Sequence, residues 1–435
     1  MVRKVKGINI PHNKNTARSA PAKIPIPSQV RILMSMHSGN PANPVVAVGD
    51  YVKLGQLIGE AAGSLSSPVH ASVSGKIKSI DEFDPVSGKK SVSITIESDR
   101  EQTVFEGLSP PPVTSTGEFL NAVAGSGVVG LGGAGYPTAP KLTLKEGIKL
   151  DYMLINGAEC EPYITSDTRT MVDDTEYVFE GALLMQKYLG PKKTLICIED
   201  NKPQAIEKLK VLCKNVEGVD VFVLPSNYPQ GERKVLVYNV TGRIVPEGAR
   251  LPDVGCTVIN CTTVAVFARY IKTGMPLTSR IITVDGSAVR KPGNVIAPIG
   301  TPIRELFDFC GGLAEDVEKI IMGGPMMGTA VPTQEMPVMK VTNAILALRA
   351  RDSELPAPSV CIKCGRCIQN CPMNLMPSYM EEAFNLKKTD LLNIYKINMC
   401  AECSCCSYVC PAKRPLSQVM KLSKNMVWEA SKKNK

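Results

Sequence analysis

The sequence predicts a multidomain α/β protein, and three stretches carry that prediction. Short apolar segments separated by glycine turns fill residues 44–60, strand-like and helix-like segments alternate over residues 152–273, and a doubled cysteine motif occupies residues 361–411. A chain of 435 residues is long enough for about three or four domains. Hydrophobic residues make up 44% of the chain, which is ample for several packed cores.

The N-terminal part, residues 1–114, is expected to form a small β domain. Five apolar residues alternate around turns at Gly49 and Gly55: Val46, Val48, Val52, Leu54 and Ile58. This pattern resembles the barrel-sandwich fold of biotinyl and lipoyl carrier domains. Those carriers present a modifiable lysine on a hairpin that here reads Ser-Leu-Ser-Ser-Pro-Val-His-Ala. We therefore expect a docking barrel rather than a swinging arm, and a structural role for His70.

The second domain, residues 115–276, alternates strands and helices. The predicted strands are 152–156, 194–199, 219–224 and 257–260, and the predicted helices are 172–188, 202–214 and 263–273. Such alternation indicates a parallel sheet with helices on its faces. Ligands of these sheets bind beyond the carboxyl ends of the strands.

A glycine-rich segment, residues 125–141, is the first candidate for a ligand site in this domain. Its candidate cofactor-binding glycines are Gly130, Gly132, Gly133 and Gly135. Three of them satisfy G-x-G-x-x-G, which alone is a weak signal, and Tyr136-Pro137 excludes a phosphate loop of the Walker kind. The glycines would let backbone N–H groups approach a flat or phosphorylated ligand, with Lys141 one helical turn further on. The alternative is a merely flexible loop.

The second candidate is I-N-G-A-E-C-E-P-Y, which follows the first predicted strand of this domain. It places Asn156, Glu159 and Glu161 at the carboxyl end of that strand. An amide can donate to and accept from a ring edge, and carboxylates can bind ribose hydroxyls or a nicotinamide amide. A helix cap or a solvated turn is the alternative for the two glutamates.

The doubled cysteine motif reads C-x₂-C-x₂-C-x₃-C-P twice. Its members are Cys361, Cys364, Cys367 and Cys371, then Cys400, Cys403, Cys406 and Cys410. This spacing holds [4Fe–4S] clusters, and the fourth cysteine of each run ligates the other cluster. We therefore assign Cys410 to the first cluster and Cys371 to the second. Zinc ribbons have different spacing, and disulfide frameworks belong to short secreted chains.

Charge and composition limit the remaining classes of function. The net charge is +9, and seven Lys or Arg against one Glu follow residue 410, so the tail could meet an anionic membrane or an acidic partner, or could be a solvated helix end. Nucleic-acid binding is disfavoured because no aromatic interleaving accompanies the charge. We find no secretory signal and no apolar run long enough to span a membrane.

Several segments together resemble one family. The glycine loop followed by N-x-x-E-x-E-P is similar to the flavin- and NADH-binding subunit of respiratory complex I. The order of the segments resembles RnfC, the NADH-side subunit of the Rnf ion-translocating ferredoxin:NAD oxidoreductase. The segments that carry the resemblance are 68–75, 130–138, 155–162, 322–328 and the doubled cysteine motif.

The resemblance implies a further domain and the cofactors. Residues 277–350 would form a β-grasp module of the soluble-ligand-binding kind, and residues 351–435 a helical domain with two clusters and a basic tail. FMN and NAD(H) would meet at the glycine loop and at Asn156–Glu161. Flavin would be needed because it converts a two-electron hydride transfer into single electrons for the clusters. Hydride transfer needs no acid–base side chain, so we expect no catalytic residue.

The resemblance also implies the partners and the location. The chain would work with the membrane and ferredoxin-like Rnf subunits, in the cytoplasm and peripherally on the cytoplasmic face of the membrane. One alternative is a soluble NADH dehydrogenase that feeds a cobalamin reductase or an amino-acid reductase such as proline reductase, an alternative favoured by the divergent N-terminus. Another is a two-cluster relay without flavin.

Overall fold

The computed structural model describes residues 6–84 and 90–433. Its strands, numbered along the chain, are β1 (Ala22–Lys23), β2 (Gln29–Leu33), β3 (Asn43–Pro44), β4 (Tyr51–Val52), β5 (Leu57–Glu60), β6 (Val69–His70), β7 (Gly75–Phe83), β8 (Ser91–Ser98), β9 (Tyr152–Gly157), β10 (Lys193–Glu199), β11 (Val219–Leu224), β12 (Cys256–Asn260), β13 (Ser279–Asp285), β14 (Gly293–Pro298), β15 (Val317–Met322), β16 (Thr329–Val331) and β17 (Ala344–Arg349). The helices are α1 (Thr116–Gly125), α2 (Thr138–Leu142), α3 (Ser166–Asp173), α4 (Thr175–Leu189), α5 (Pro203–Cys213), α6 (Arg233–Thr241), α7 (Cys261–Thr273), α8 (Ile303–Phe309), α9 (Ala350–Ser353), α10 (Arg366–Gln369), α11 (Pro377–Asn385), α12 (Thr389–Ile394), α13 (Cys405–Tyr408) and α14 (Leu416–Lys433).

The N-terminal β domain has two antiparallel sheets, as the sequence predicts. One has the order β2-β8-β7-β4 and the other β3-β5-β6. Alternate residues of the longer strands face inward and are buried, among them Val30, Ile32, Ile77, Ile94 and Ile96. The hairpin that would carry a modified lysine is buried against other domains, because Ser67 donates to the Gly127 carbonyl oxygen at 3.1 Å. This contact fits the expected docking barrel.

The second domain contains the predicted parallel sheet, in the order β11-β10-β9-β12. The chain winds outward from β9 through β10 to β11 and then returns to the other side of β9 as β12. The direction of winding therefore reverses between β9 and β12, and such a switch point opens a crevice at the carboxyl ends of the strands. Both candidate ligand segments lie at this edge.

Helix α6 is a part of this domain that the sequence analysis missed. Its sequence, R-K-V-L-V-Y-N-V-T, is rich in β-branched residues, which favour strands. The helix nevertheless begins there because the Glu232 carboxylate accepts hydrogen bonds from the backbone N–H groups of Lys234 (2.7 Å) and Val235 (2.9 Å). Burial of Val235, Leu236 and Val237 stabilises it further.

The third domain is a six-stranded mixed sheet in the order β1-β14-β13-β17-β15-β16, with α8 packed against it. Strand β1 comes from the N-terminal segment and pairs in parallel with β14. The same segment reaches the parallel-sheet domain, because Ile8 and Tyr228 exchange backbone hydrogen bonds at 2.8 and 3.1 Å. The predicted domain limits remain a prediction. Residues 8–23, which the sequence assigns to the N-terminal β domain, also contact the second and third domains.

Lys340 connects three of the domains. Its ammonium group is fully buried and donates to Ser67 Oγ (3.2 Å) and to the carbonyl oxygens of Pro68 (2.6 Å) and Gly127 (2.7 Å). These acceptors belong to the β domain and to the loop that follows α1. The relative position of the domains is thus fixed by three hydrogen bonds that one buried lysine donates, and its burial lowers the pKa of Lys340 to about 7.

The C-terminal domain is helical, with α11, α12 and α14 around an apolar core that includes Met380, Leu392 and Met420. The two predicted helices of the insert are present as α11 and α12. Helix α14 forms most of the basic tail, which was expected either to be solvated or to meet a partner, and its Val427 is buried. In the described part of the chain, none of the helices has the length and apolar character needed to cross a membrane.

Candidate functional site

The glycine loop lies at the carboxyl edge of the parallel sheet, in front of β12. The Leu131 N–H donates to Thr263 Oγ1 at 2.9 Å, and a Cβ on Gly132 would lie 3.2 Å from Asn260 Nδ2. The loop is closed by hydrogen bonds between Gly130 and Tyr136 (2.9 Å) and between Gly135 and Gly130 (3.0 Å).

The tip of this loop is open on the side of the crevice. Gly133 has a φ of +105°, and a Cβ on it would have no heavy atom within 4 Å. The backbone N–H groups of Gly132, Gly133 and Ala134 donate to no other described residue. Exposed donors on a glycine loop suit a flat ring or an anion, so the loop fits a flavin nucleotide.

Two basic side chains lie near each other on α2 and α6, the helices that follow the glycine loop and β11. Lys141 stands on α2, and burial together with the nearby charge of Arg233 lowers the pKa of Lys141 to about 8. Arg233 is exposed at the start of α6. In the described part of the chain, neither side chain forms an ion pair with a carboxylate. An anionic group such as a phosphate would satisfy both cations.

Asn156 lies at the end of β9, as predicted, and its amide is engaged with the protein. Nδ2 donates to the Gly231 carbonyl oxygen at 2.9 Å, and Oδ1 accepts from the Ala158 N–H at 3.1 Å. Asn156 therefore holds the loop that follows β11 against the loop that follows β9.

Glu159 caps a helix. Its carboxylate accepts from the N–H of Asp167 (2.6 Å), the N–H of Thr168 (3.2 Å) and the hydroxyl of Thr168 (2.5 Å), all at the N-terminus of α3. Burial raises the pKa of Glu159 to about 7, and its ionised form also complements the helix dipole. The contacts of Glu159 are those of a helix cap, the alternative that the sequence also allowed. A direct bond from Glu159 to a cofactor stays a prediction.

Glu161 faces the third domain. Its Oε2 accepts from the Met326 N–H at 3.0 Å, and its Oε1 lies 3.5 Å from the Tyr228 hydroxyl. Burial raises the pKa of Glu161 to about 7. Glu159 and Glu161 therefore point to different elements, although only one residue separates them.

Two lysines hold the segment that carries these glutamates. Lys14, from the N-terminal segment, donates to the carbonyl oxygens of Glu159 (2.7 Å), Glu161 (2.9 Å) and Ile164 (2.5 Å). Lys202 donates to the Ala158 carbonyl oxygen at 2.6 Å and pairs with the fully buried Glu199 at 2.7 Å. The segment is therefore held from both sides by cations that bond to its backbone.

The cysteines form two quartets around two cavities. The first cavity is lined by Cys361, Cys364, Cys367 and Cys410, which we call the first quartet. The second is lined by Cys371, Cys400, Cys403 and Cys406, which we call the second quartet, and also by Cys405, which lies outside the repeated motif. The fourth cysteine of each motif thus lies with the three leading cysteines of the other. Within residues 6–84 and 90–433, no group of three or more His, Cys, Asp or Glu side chains is placed for a single metal ion. The exchange of the fourth cysteine between the two motifs is the arrangement with which such runs hold two [4Fe–4S] clusters.

The backbone of the two motifs repeats in the same way. Lys363 and Glu402, two residues after the leading cysteines, have φ values of +53° and +56°. Gly365 and Ser404, two residues further on, have values of +74° and +64°. Left-handed residues between ligands give the tight turns with which a chain wraps around a cluster. Cluster binding by the eight cysteines remains a prediction that this geometry supports.

The second quartet packs directly against the ligand crevice. Cys403 and Cys405 are in one apolar cluster with Tyr228, Met326 and Cys160. The first quartet is more exposed, since Cys364 is exposed and Cys361 is partly exposed. The two cavities therefore differ in their distance from the crevice and in their access to solvent.

Four residues of the site were not identified from the sequence: Lys14, Tyr228, Arg233 and Met326. Tyr228 and Arg233 follow β11, and the rule that ligands bind beyond carboxyl ends could have directed attention to them. Lys14 carries no local signal, because its partners are far away in the sequence. Met326 lies in segment 322–328, which carries the family resemblance, but nothing local indicates its contact to Glu161.

The fold and these two features define the class of the protein as a flavin-site, iron–sulfur electron-transfer protein. Residues 123–269 match the family model of the Nuo51 FMN-binding domain, residues 3–101 that of the RnfC barrel sandwich hybrid domain, and residues 281–330 that of the SLBB domain. The fold class and the resemblance predicted from the sequence are thereby confirmed. The individual cofactor-binding residues stay predictions.

The chain belongs to the RnfC family of ion-translocating ferredoxin:NAD(+) oxidoreductase complexes. It is 40% identical to the RnfC protein of the Na(+)-translocating complex of Acetobacterium woodii over 387 residues, which cover 86% of each chain. It is 40% identical to the RnfC protein of the proton-translocating complex of Clostridium ljungdahlii, covering 86% of this chain and 82% of that protein. It is 38% identical to the RnfC protein of the Rhodobacter capsulatus ion-translocating complex, covering 84% of this chain and 72% of that protein.

A solved structure shares the fold at low identity. An NAD+-reducing [NiFe]-hydrogenase in the H2-reduced state superposes with a TM-score of 0.50 and 15% identity, covering 72% of this chain and 61% of that one. The likeness concerns the fold alone.

Proposed function

We propose that the chain is the electron-transfer subunit of an ion-translocating ferredoxin:NAD oxidoreductase, passing electrons between NAD(H), FMN and two [4Fe–4S] clusters. The observation that carries the proposal is the contact between the second cysteine quartet and the ligand crevice, through Tyr228, Met326 and Cys403. FMN supplies the conversion between a two-electron hydride transfer and the single electrons that a cluster takes. The names of the relatives, each the RnfC component of such a complex, support the same assignment.

Each part of the crevice has a role in this proposal. The open N–H groups of Gly132, Gly133 and Ala134 bind the flavin nucleotide, and Gly130 and Gly135 close the loop that presents them. Lys141 and Arg233 hold the phosphate of the flavin nucleotide. Asn156, Glu159 and Glu161 form the floor on which flavin and NADH meet: Asn156 and Glu159 fix its backbone, and Glu161 joins it to the third domain.

The cysteine quartets define an order for the electrons. The second quartet exchanges electrons with the crevice because it is the one that packs there. The first quartet exchanges them with a partner, because its surroundings are exposed and apolar. Val360 is 82% exposed, Ile362 68% and Leu386 57%. An electron-carrying subunit of the complex would cover this rim.

The experiment that tests the function uses the whole chain purified without oxygen. We expect eight iron atoms and one flavin per chain, and bleaching of the cluster absorbance when NADH is added. Intact clusters without acid-extractable flavin would instead identify a two-cluster relay and contradict the proposal.

We also propose that the chain lies peripherally on the cytoplasmic face of the membrane, bound to the membrane subunits of its complex. The basic residues of α14 support this location, since Lys421 and Lys432 are exposed. Recovery of the chain with membranes at low salt, and its release at high salt, is expected. A fully soluble complex with a cobalamin or amino-acid reductase would contradict the location and favour the alternative function.

A further inference from the structure

The segment M-G-G-P-M-M-G is a motif to which the proposed function gives no role apart from the apolar contact of Met326. Residues 323–328 form the turn between β15 and β16, and we call them the bridging loop. The Gly328 N–H donates to the Gly324 carbonyl oxygen at 2.8 Å, and a Cβ on Gly328 would lie 2.4 Å from that oxygen. Gly323 has a φ of +95°. The backbone of this turn therefore requires glycine at positions 323 and 328.

One side of the bridging loop fits closely against the floor of the crevice. The Met326 N–H donates to Glu161 Oε2 at 3.0 Å. A Cβ on Gly324 would lie 2.2 Å from the same oxygen and 2.8 Å from Glu161 Cβ. A glycine is thus needed here for the carboxylate to approach the loop.

The other side of the bridging loop contacts the second cysteine quartet. Ser404, which directly follows Cys403, donates from its hydroxyl to the Met326 carbonyl oxygen at 2.6 Å. The Met326 side chain packs in the apolar cluster that includes Tyr228 and Cys403. Met326 therefore bonds to the crevice floor through its N–H and to the cluster-binding loop through its carbonyl group.

We infer that the bridging loop sets the separation between the flavin crevice and the second cluster, with Glu161 and Ser404 as its positioning residues. The inference rests on the proposed function, because it concerns the transfer of one electron at a time from the reduced flavin to the oxidised second cluster. Electron transfer slows steeply as donor and acceptor move apart. A loop held on both sides by hydrogen bonds keeps that distance constant although the two sites belong to different domains.

A purely structural role for the loop makes a different prediction. If the loop only joined domains, weakening it would reduce cluster content or stability without separating the steps of the reaction. If it sets the distance, weakening it from either side slows the transfer to the cluster and leaves flavin reduction by NADH unchanged.

Two variants test the inference from opposite sides, and a third is the control. Ser404→Ala removes the hydroxyl that bonds to Met326, and Gly324→Ala places a methyl group against Glu161. Ser407→Ala removes a hydroxyl that also follows a cluster cysteine but bonds to Ser417, within the C-terminal domain. Ser404→Ala could lose iron because Ser404 follows a cluster cysteine. Gly324 is remote from the cysteines in sequence, so Gly324→Ala would then still test whether the bridging loop sets the separation.

The full chain, loaded with FMN and clusters, is mixed with NADH without oxygen. Flavin absorbance follows the first step, and rapid-freeze electron paramagnetic resonance follows cluster reduction. We expect an unchanged first step, and cluster reduction slowed by about fivefold, in Gly324→Ala and in iron-replete Ser404→Ala. Loss of about 1 kcal/mol of hydrogen bonding shifts the balance between the held and the released position of the loop by about that factor. Ser407→Ala should behave as the wild type.

The outcomes separate this inference from the proposed function. Cluster reduction in Gly324→Ala at the rate of Ser407→Ala overturns the inference, and so does a slowed first step. A wild-type chain whose clusters NADH does not reduce overturns the proposed function itself.

Discussion

The Glu159 side chain supports the site through the backbone groups that it binds. Its carboxylate accepts three hydrogen bonds at the N-terminus of α3, and a carboxamide in its place has only one acceptor oxygen. We expect Glu159→Gln to loosen the crevice floor and raise the KM for NADH, with iron content unchanged. Steady-state kinetics and iron analysis measure both quantities. Loss of the clusters in this variant would contradict the prediction.

Cys371 tests the interlocked assignment of the cluster ligands. It lies in the first motif but lines the cavity of Cys400, Cys403 and Cys406. Cys371→Ser should therefore remove the second cluster and leave the first, with about half of the iron retained. Cys213→Ser, a change of a buried cysteine in α5, should retain all the iron. Retention of the second cluster alone in Cys371→Ser would show that each motif binds its own cluster.

His70 makes the stability of the fold depend on pH. Burial, aided by the charge of Lys340, lowers the pKa of His70 to about 3. Below about pH 6.5 the unfolded chain binds a proton that the folded chain does not, so stability falls as the pH falls, by up to about 1.4 kcal/mol per pH unit. His37 contributes in the same direction, since burial and Lys340 lower its pKa to about 4.

Replacing His70 should therefore flatten the pH dependence. We expect the thermal midpoint of His70→Gln to fall less than that of the wild type between about pH 7.5 and 5.5. Calorimetry of both proteins gives the change of the thermal midpoint with pH. The contribution of the clusters is common to both proteins and cancels in the comparison. Parallel curves would contradict the role assigned to His70.

At the scale of elements, the N-terminal segment supports the crevice from outside its own domain. Lys14 donates to three carbonyl oxygens of residues 159–164, and Lys14→Met would leave them without that donor, at a cost of about 1–3 kcal/mol for each one that stays buried. We expect Lys14→Met to weaken flavin retention. Lys23→Met, on the exposed strand β1, is the matched control. Flavin titrations of the two variants measure the effect, and equal affinities would contradict it.

Regular elements could be predicted from the sequence where local pattern determines them. Strands β9–β12 and helices α4, α5 and α7 lie close to the predicted ranges, because alternation of apolar segments marks a parallel sheet. Strand β1 could not be predicted, since Ala22 pairs with Val295. Helix α6 could not either, because its cap and its burial outweigh the strand preference of its residues.

The residues of the candidate site also divide into those that the local sequence predicts and those that depend on distant partners. The spacing of the cysteines is local, so both quartets could be predicted together with the exchange of Cys371 and Cys410. The crevice joins segments from distant parts of the chain, so the sequence indicated Glu161 without its contact to Met326. Side-chain direction at the end of β9 depends on the left-handed backbone of Glu159, with a φ of +49°, which no pattern indicated.

At the scale of the whole molecule, the two cysteine quartets differ in burial and in what packs against them. In the second quartet Cys371, Cys403 and Cys406 are buried, and the domain junction covers that side. In the first quartet Cys364 is exposed, and among the described residues the apolar cluster around Cys367 and Cys410 contains only members of the C-terminal domain. Access of solvent to the iron should therefore differ between the two clusters.

We expect a ferrous-iron chelator, added under mild oxidation, to remove iron from the isolated chain in two phases of about equal size, because about half of the iron belongs to each cluster. The fast phase comes from the first cluster, since the chelator reaches the cavity beside Cys364 without opening the domain junction. The absorbance of the iron–chelator complex gives the phases, and electron paramagnetic resonance of samples taken between them identifies the remaining cluster. Cys364→Ser should lack the fast phase and Cys371→Ser the slow one. The reverse assignment would mean that the domain junction opens more readily than the exposed cavity admits the chelator, and this would contradict the order of electron transfer derived from the packing.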